Sequence, residues 1–287
     1  MAIFSANLIY AINYIVAKDV MPDYLNPSPF ILLRAIGATS LFWFISLFTP
    51  KEKIEKKDYW RLILCALFGV TINQLSFFKG LSITSPINAA ILMTCTPILV
   101  LITSAIIIKE KITRNKVLGI IMGMIGAIIL IGFGSSLSFN SSSIIGDLFI
   151  LINALSYGTY LVLVKPLMRK YTPLTVIRWV FSIGLLFVFP VSYNEAILTN
   201  WSAIPTVIWW EITYVIIGVT FFAYLLNIYA LKNVSPSVVS TYLYVQPVLT
   251  AIIAILLQRD SLSITKILAT ILIISGVWFV SKQKAHS

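Results

Sequence analysis

Charge is what this sequence has least of. Charged residues make up 11% of the chain and only ten of them are acidic, whereas a soluble domain carries roughly 25%. A surface in water cannot be covered at that density, which excludes an ordinary soluble domain and leaves lipid as the natural solvent. Histidine is nearly absent: His286, in the tail, is the single one. The two cysteines, Cys65 and Cys95, sit far apart inside apolar runs. A His/Cys zinc site and a disulfide framework are therefore excluded. No GxxxxGK[ST] loop occurs, so ATP cannot be held in that way by this chain. Hydrolysis inside a membrane would need a nucleophile with its base, paired carboxylates or a metal. The acids, among them Asp19, Asp147, Glu195 and Glu211, sit at ends and in loops. No catalytic residue, metal or other cofactor is expected.

What is present is apolar. Hydrophobic residues are 59% of the chain and the mean hydropathy is +0.96. A crossing helix needs about 20 apolar residues, and the pattern predicts ten: 1–17, 29–48, 59–79, 84–108, 115–134, 145–165, 173–192, 206–230, 235–257 and 264–281. The fold class is thus all-α and integral to a membrane. The first span is short for a crossing. It lacks a basic leader and a small-residue cleavage pattern, so it reads as a retained helix. The net charge of +11 sits in short clusters between apolar runs, which suits loops and not a nucleic-acid surface. With the first residue placed in the cytoplasm, fifteen Lys and Arg fall on the inner side and four on the outer, with Arg34 and Arg178 inside helices. Both termini are expected in the cytoplasm.

The two halves repeat each other. Pro29-x4-Arg34 recurs as Pro173-x4-Arg178 at an offset of 144, and Ser85-Pro86-x10-Pro97 recurs as Ser235-Pro236-x10-Pro247 at 150. Leu81, Lys116 and Gly126 map onto Leu231, Lys266 and Gly276 at the same 150. Several matches at one offset indicate duplication. Five helices is an odd number, so the second copy enters the membrane upside down. The expected architecture is two inverted five-helix repeats, residues 1–134 and 145–281. Many secondary transporters are built so, with a site near the midplane between the halves.

Candidate site residues follow from polarity inside apolar spans. Pro97 and Pro247 free the carbonyls of Met93 and Leu243, which makes either a paired kink facing a cavity or ordinary packing kinks. Thr94 pairs with Tyr244 in the repeat, Gln74 with Tyr224, and Phe77 with Asn227. Asn73, Gln74, Tyr224, Asn227, Tyr242 and Gln246 are expected to face a central cavity, as substrate contacts or as interhelical hydrogen bonds. Asn13, Asn88, Tyr157 and Tyr160 are candidates of the same kind. Lys79 ends the third span. It either snorkels or binds a carboxylate or phosphate at an outer gate. Arg34 near the outer surface and Arg178 near the inner one read as matched anchors in preference to anion sites. Glu110 and Asp260 are expected to orient the hairpins they sit in. Gly119-x3-Gly123 with Gly126 permits close helix contact, within the chain or in a homodimer.

These segments resemble a known family. Tyr10-Ala11-Ile12-Asn13-Tyr14-Ile15-Val16-Ala17-Lys18, Pro29-x4-Arg34 and Gly80-Leu81-x3-Ser85-Pro86 lead to Pro97 and Glu110-Lys111-Ile112-Thr113. Ala230-Leu231-x3-Ser235-Pro236, Pro247 and Asp260-Ser261-Leu262-Ser263 form the second set. Over nearly its whole length the chain resembles the EamA family of the drug/metabolite transporter superfamily. It departs from the family at Tyr10-Ala11, where Trp-Gly is common, and at Asp260, where Glu is. The resemblance implies ten helices, alternating access and export of small metabolites, often amino acids or related compounds. The expected partners are a small-molecule substrate and the lipid bilayer of a bacterial inner membrane, with no nucleic acid. A non-transporting receptor or scaffold is the alternative. The topology has a direct check: a cysteine placed at Lys53 should react with an impermeant maleimide only from the cytoplasmic side. Residues 135–144 and the C-terminal tail should label from opposite sides.

Overall fold

The computed structural model describes residues 2–21, 24–50, 52–84, 86–132, 141–256 and 263–282. Among the described residues it is helical throughout, with no strand. In chain order the helices are α1 (Ala2–Val20), α2 (Pro27–Ser46), α3 (Lys56–Ile83) and α4, in two pieces, Pro86–Met93 and Thr96–Ile107. Then come α5 (Arg114–Gly132), α6 (Ser141–Val164), α7 (Pro173–Leu198) and α8 (Thr206–Asn233). Last are α9, whose helical pieces Pro236–Thr241 and Val245–Leu256 flank a tight turn at Tyr242–Tyr244, and α10 (Ile264–Ser281). Nine of these, among the described residues, are long and apolar enough to cross a membrane; in α1 the apolar stretch is the shorter Ala2–Asn13. The nearest departure from expectation is α7. It runs through Pro190 to Leu198, because a proline inside a membrane helix is tolerated where neighbours satisfy the freed carbonyl.

Local chemistry places the ends. Asn26 and Thr172 stand extended before Pro27 and Pro173, the first residues of α2 and α7. Proline fits there because its missing N–H would have no helical partner anyway. Ser235 and Ser263 cap α9 and α10 with their hydroxyls, accepting from the amides of Val238 and Lys266. Ahead of Pro97 the α4 backbone tightens at Thr94 and Cys95, whose amides reach back three residues to Ile91 and Leu92. The same break precedes Pro247 as the turn at Tyr242–Tyr244. The third helix of each half carries a π-helical segment, Leu67–Thr71 in α3 and Val215–Ala223 in α8.

The packing respects the duplication. α2 lies along α7, α5 along α10, and α4 against α9; α3 packs on α6 as α8 packs on α1, and α4 rests on α6 as α9 rests on α1. Exchanging the halves maps this set of contacts onto itself. The main core gathers Phe30, Phe42, Phe181, Ile177 and Leu161 from α2, α7 and α6.

One end of the bundle is tied by polar contacts. Lys170 Nζ pairs with Asp58 Oδ2 at 2.8 Å and the Tyr171 hydroxyl donates to the same oxygen at 2.8 Å. Glu52 Oε2 accepts from the Thr172 amide at 2.9 Å and its hydroxyl at 2.8 Å. Partial burial pushes the Glu52 carboxyl up, but the two Thr172 bonds and the nearby Arg178 charge hold it below the usual range. Lys165 Nζ donates to the carbonyls of Leu231 and Val234, clipping α6 to the end of α8. Glu110 orients its hairpin by pairing with Lys116 at 2.8 Å; Asp260 lies outside the described residues.

The glycine stripe of α5 is spent inside the chain. A Cβ on Gly119 would lie 2.5 Å from the Gly276 carbonyl oxygen, and one on Gly276 would lie 2.5 Å from that of Gly119 and 2.7 Å from the Gly123 nitrogen. Backbone meets backbone here, so nothing can swing aside. Gly276→Val should therefore lower thermal stability in detergent by about 1–3 kcal/mol or more. Gly132→Ala, where no atom comes within 4 Å, should leave the unfolding midpoint unchanged.

Candidate functional site

Polar side chains in a bilayer turn inward, and here they converge on a cavity of about 400 Å³. Its wall is drawn from both halves. Tyr10, Asn13 and Met21 come from α1 and its exit; Pro27 and Arg34 from α2; Asn73, Gln74, Phe77, Phe78, Leu81 and Ser82 from α3. Ala89, Ala90 and Met93 come from α4, Asn153 and Tyr157 from α6, Val219 and Tyr224 from α8, and Leu243 and Gln246 from α9. Among the described residues α5, α7 and α10 contribute none. The cavity reaches the surface beside exposed Ser82. The polar ties at Asp58, Lys170 and Glu52 lie at the opposite end.

Several lining groups have their partners. Asn73 and Asn153 bond reciprocally across α3 and α6: Asn153 Nδ2 donates to the Asn73 carbonyl at 2.7 Å and Asn73 Nδ2 to that of Asn153 at 3.4 Å. Gln246 Nε2 donates to Asn7 Oδ1 at 2.8 Å, and Asn7 in turn to the Ile3 carbonyl at 2.8 Å. Others are less well paired. Both polar atoms of Gln74, 3% exposed, make no hydrogen bond of good geometry although the amide stands against the Tyr224 hydroxyl, and Asn13 Oδ1 and Asn153 Oδ1 have no partner among the described residues. A buried amide without a partner costs stability, so groups kept this way at a cavity wall await a ligand or water.

Among the described lining residues the single charge is Arg34, only 5% exposed. Its Nε donates to Thr220 Oγ1 at 3.0 Å, and that hydroxyl donates to the Val215 carbonyl five residues back, within the π-helical segment of α8. The guanidinium lies 5.1 Å from the Phe78 ring centre and 5.6 Å from that of Phe30. Its repeat counterpart Arg178 is equally buried, at 6%, but stands away from the cavity. It lies over Trp43 at 5.1 Å and reaches the Glu52 carbonyl at 3.5 Å. Neither arginine is an outward-reaching anchor, and the symmetric reading fails. Gly69-Val70-Thr71 recurs as Gly218-Val219-Thr220, and Thr71 also bonds five residues back, to the Ala66 carbonyl at 3.4 Å, yet Arg178 turns to Trp43 and the Glu52 carbonyl instead.

Of the residues expected from sequence, Asn13, Asn73, Gln74, Met93, Tyr157, Tyr224 and Gln246 line this cavity. Asn227 stands behind the wall and donates to the Tyr10 hydroxyl at 3.2 Å. Thr94 is buried, its hydroxyl turned back to the Ile91 carbonyl, and its own carbonyl accepts from Tyr244 at 2.9 Å. Tyr160 is buried against Gly69, Tyr242 packs beside Ile120 and Val280, and Lys79 is exposed outside the lining. The Asn88 side chain lies outside the described residues. Sequence reasoning did not pick out Tyr10, Asn153, Phe78 or Arg34 as lining residues. For Tyr10 a signal exists: Tyr10 and Lys18 recur as Tyr157 and Lys165 at an offset of 147.

The open and satisfied amides should behave oppositely. Gln74→Leu removes orphan polar atoms and should hold or raise the unfolding midpoint in detergent, by up to about 1–3 kcal/mol. Asn73→Leu removes only the 3.4 Å bond to the Asn153 carbonyl, because the Asn73 carbonyl still accepts from Asn153 Nδ2, and should lower it by about 0.5–1.5 kcal/mol.

Comparison with known proteins bears on this arrangement. The profile of the EamA-like transporter family matches residues 1–132 and 144–282. The chain is 28% identical over 257 residues to the uncharacterized transporter YyaM of Bacillus subtilis (strain 168), covering 88% of this chain and 84% of that one. It is 24% identical over 267 residues to an uncharacterized transporter of Archaeoglobus fulgidus, covering 93% and 90%. It is 24% identical over 303 residues to the WAT1-related protein At3g53210 of Arabidopsis thaliana, covering 96% and 80%. A solved structure, described only as the crystal structure of a protein, superposes with a TM-score of 0.79 at 19% identity over 98% of this chain and 95% of that one, which speaks for the fold alone. With both halves matched and every helix accounted for, this multi-pass membrane protein is a transporter belonging to the EamA-like transporter family.

Proposed function

We propose that the chain is a secondary transporter of small organic metabolites, working by alternating access around the cavity between its halves. The observation that carries this is the cavity itself: about 400 Å³, walled by both halves, open beside Ser82 and tied shut at the Asp58–Lys170 end. That volume falls in the range of small-molecule sites. With the termini in the cytoplasm, as the loop charges favour, the cavity opens outward and the tied end faces the cell. Residues 1–134 and 145–281 act as the two inverted repeats, and their rocking about a pseudo-twofold axis exchanges the open and closed ends. Export across a bacterial inner membrane is the direction we adopt, from the family resemblance.

Protein reconstituted in liposomes should move a member of a broad metabolite panel without ATP. Gln74→Ala, Asn227→Ala and Gln246→Ala should each reduce that flux while leaving expression intact. Binding without flux would favour a receptor, and normal flux in all three variants would sink the cavity assignment.

A further inference from the structure

Among the described residues lining the cavity one carries a formal charge, it is positive, and no described acid pairs with it. An arginine stays protonated in proteins, and a buried cation without a counter-charge is costly unless something pairs with it. Among the described residues the ion pairs are Lys57–Glu55, Lys116–Glu110 and Lys170–Asp58; Arg34 is in none of them. Among the described residues no Asp or Glu lines the cavity.

The guanidinium is also oriented. Thr220 takes its Nε at 3.0 Å, and the Phe30 and Phe78 rings, themselves packed edge to face at 5.9 Å, lie beside it. With Nε engaged, the two terminal nitrogens form the unused edge of the fork. That edge matches the two oxygens of a carboxylate in a bidentate pair. The remaining wall is largely apolar, with the Gln74 amide set into it beside Tyr224. An ammonium group would find no carboxylate among the described lining residues.

We propose that Arg34 is the recognition residue for a carboxylate and that the transported molecules are small organic monoanions with an apolar body. This rests on the transporter reading above and narrows it. The amide of Gln74 then meets a polar substituent on the body, and Thr220 acts as a positioning residue through Arg34.

The test uses the full-length protein in detergent and in liposomes. The probes are monocarboxylates from acetate to 3-phenylpropionate, the matching amides and amines, and sodium chloride and sodium phosphate. At least one carboxylate should raise the unfolding midpoint and drive counterflow, while its amide, its amine and the inorganic anions do not. Arg34→Gln should weaken the response roughly 10- to 100-fold, the worth of a charge-assisted hydrogen bond. Arg34→Lys, which keeps the charge and loses the fork, should retain part of it. Lys79→Gln should leave the preference for the acid over its amide intact. The assignment is overturned if acid and amide act alike, if phosphate or chloride act as well as the acid, or if Lys79→Gln and not Arg34→Gln removes the preference. It is also overturned if neutral or cationic probes are carried and no carboxylate is, a result that leaves the transporter reading standing. Absence of flux across the whole metabolite panel removes both.

Discussion

Peptide groups in hydrocarbon have no water to turn to, so each must find its hydrogen-bond partner within the chain. Unbroken helices meet that demand, and the departures from regular helix in this bundle occur where protein can compensate. The turn before Pro97 reaches back three residues instead of four. In the α8 segment Val215–Ala223 the Thr220 hydroxyl covers a carbonyl that the wider winding would leave weakly bonded. These interruptions lie beside the cavity: Met93 and Leu243 at the two proline breaks and Val219 in the π-helical segment all line it. The need to satisfy the backbone thus concentrates irregular structure where a ligand could use it.

Much of this was legible from residue types alone. Apolar runs and loop charges are long-range, redundant signals, and so are repeated prolines, which is why the helix order and the duplication could be read without coordinates. The shared polar face of Gln74 and its repeat partner Tyr224 could also be read, because helical spacing fixes which residues neighbour one another. What could not be read is which helix each face meets. Asn227 and Tyr160 lie on the expected elements, yet one supports Tyr10 and the other fills the space over Gly69. Lys79, which on the sequence reading either snorkels or binds an anion at an outer gate, stands exposed outside the lining. Arg34, some forty residues earlier in a different helix, supplies the lining's charge because α2 leans on α8.

One family profile matches the chain twice, and the differences between the two matched stretches shape the site. Single replacements separate the halves: Tyr224 where the first copy has Gln74, Asn227 where it has Phe77. Each changes which neighbour can be bonded. The result is one arginine facing an open chamber and its twin folded against Trp43 and the Glu52 backbone. A symmetric frame holding asymmetric chemistry gives the two ends of the bundle different polar linkages.

The Tyr244 hydroxyl meets the carbonyl of Thr94, and these two positions are each other's counterparts in the duplicated halves. Equivalent points of two copies related by a twofold rotation meet only near its axis. The contact therefore marks where that axis passes, the place that the rocking proposed above displaces least, and the Tyr244 ring packs there on Gly123.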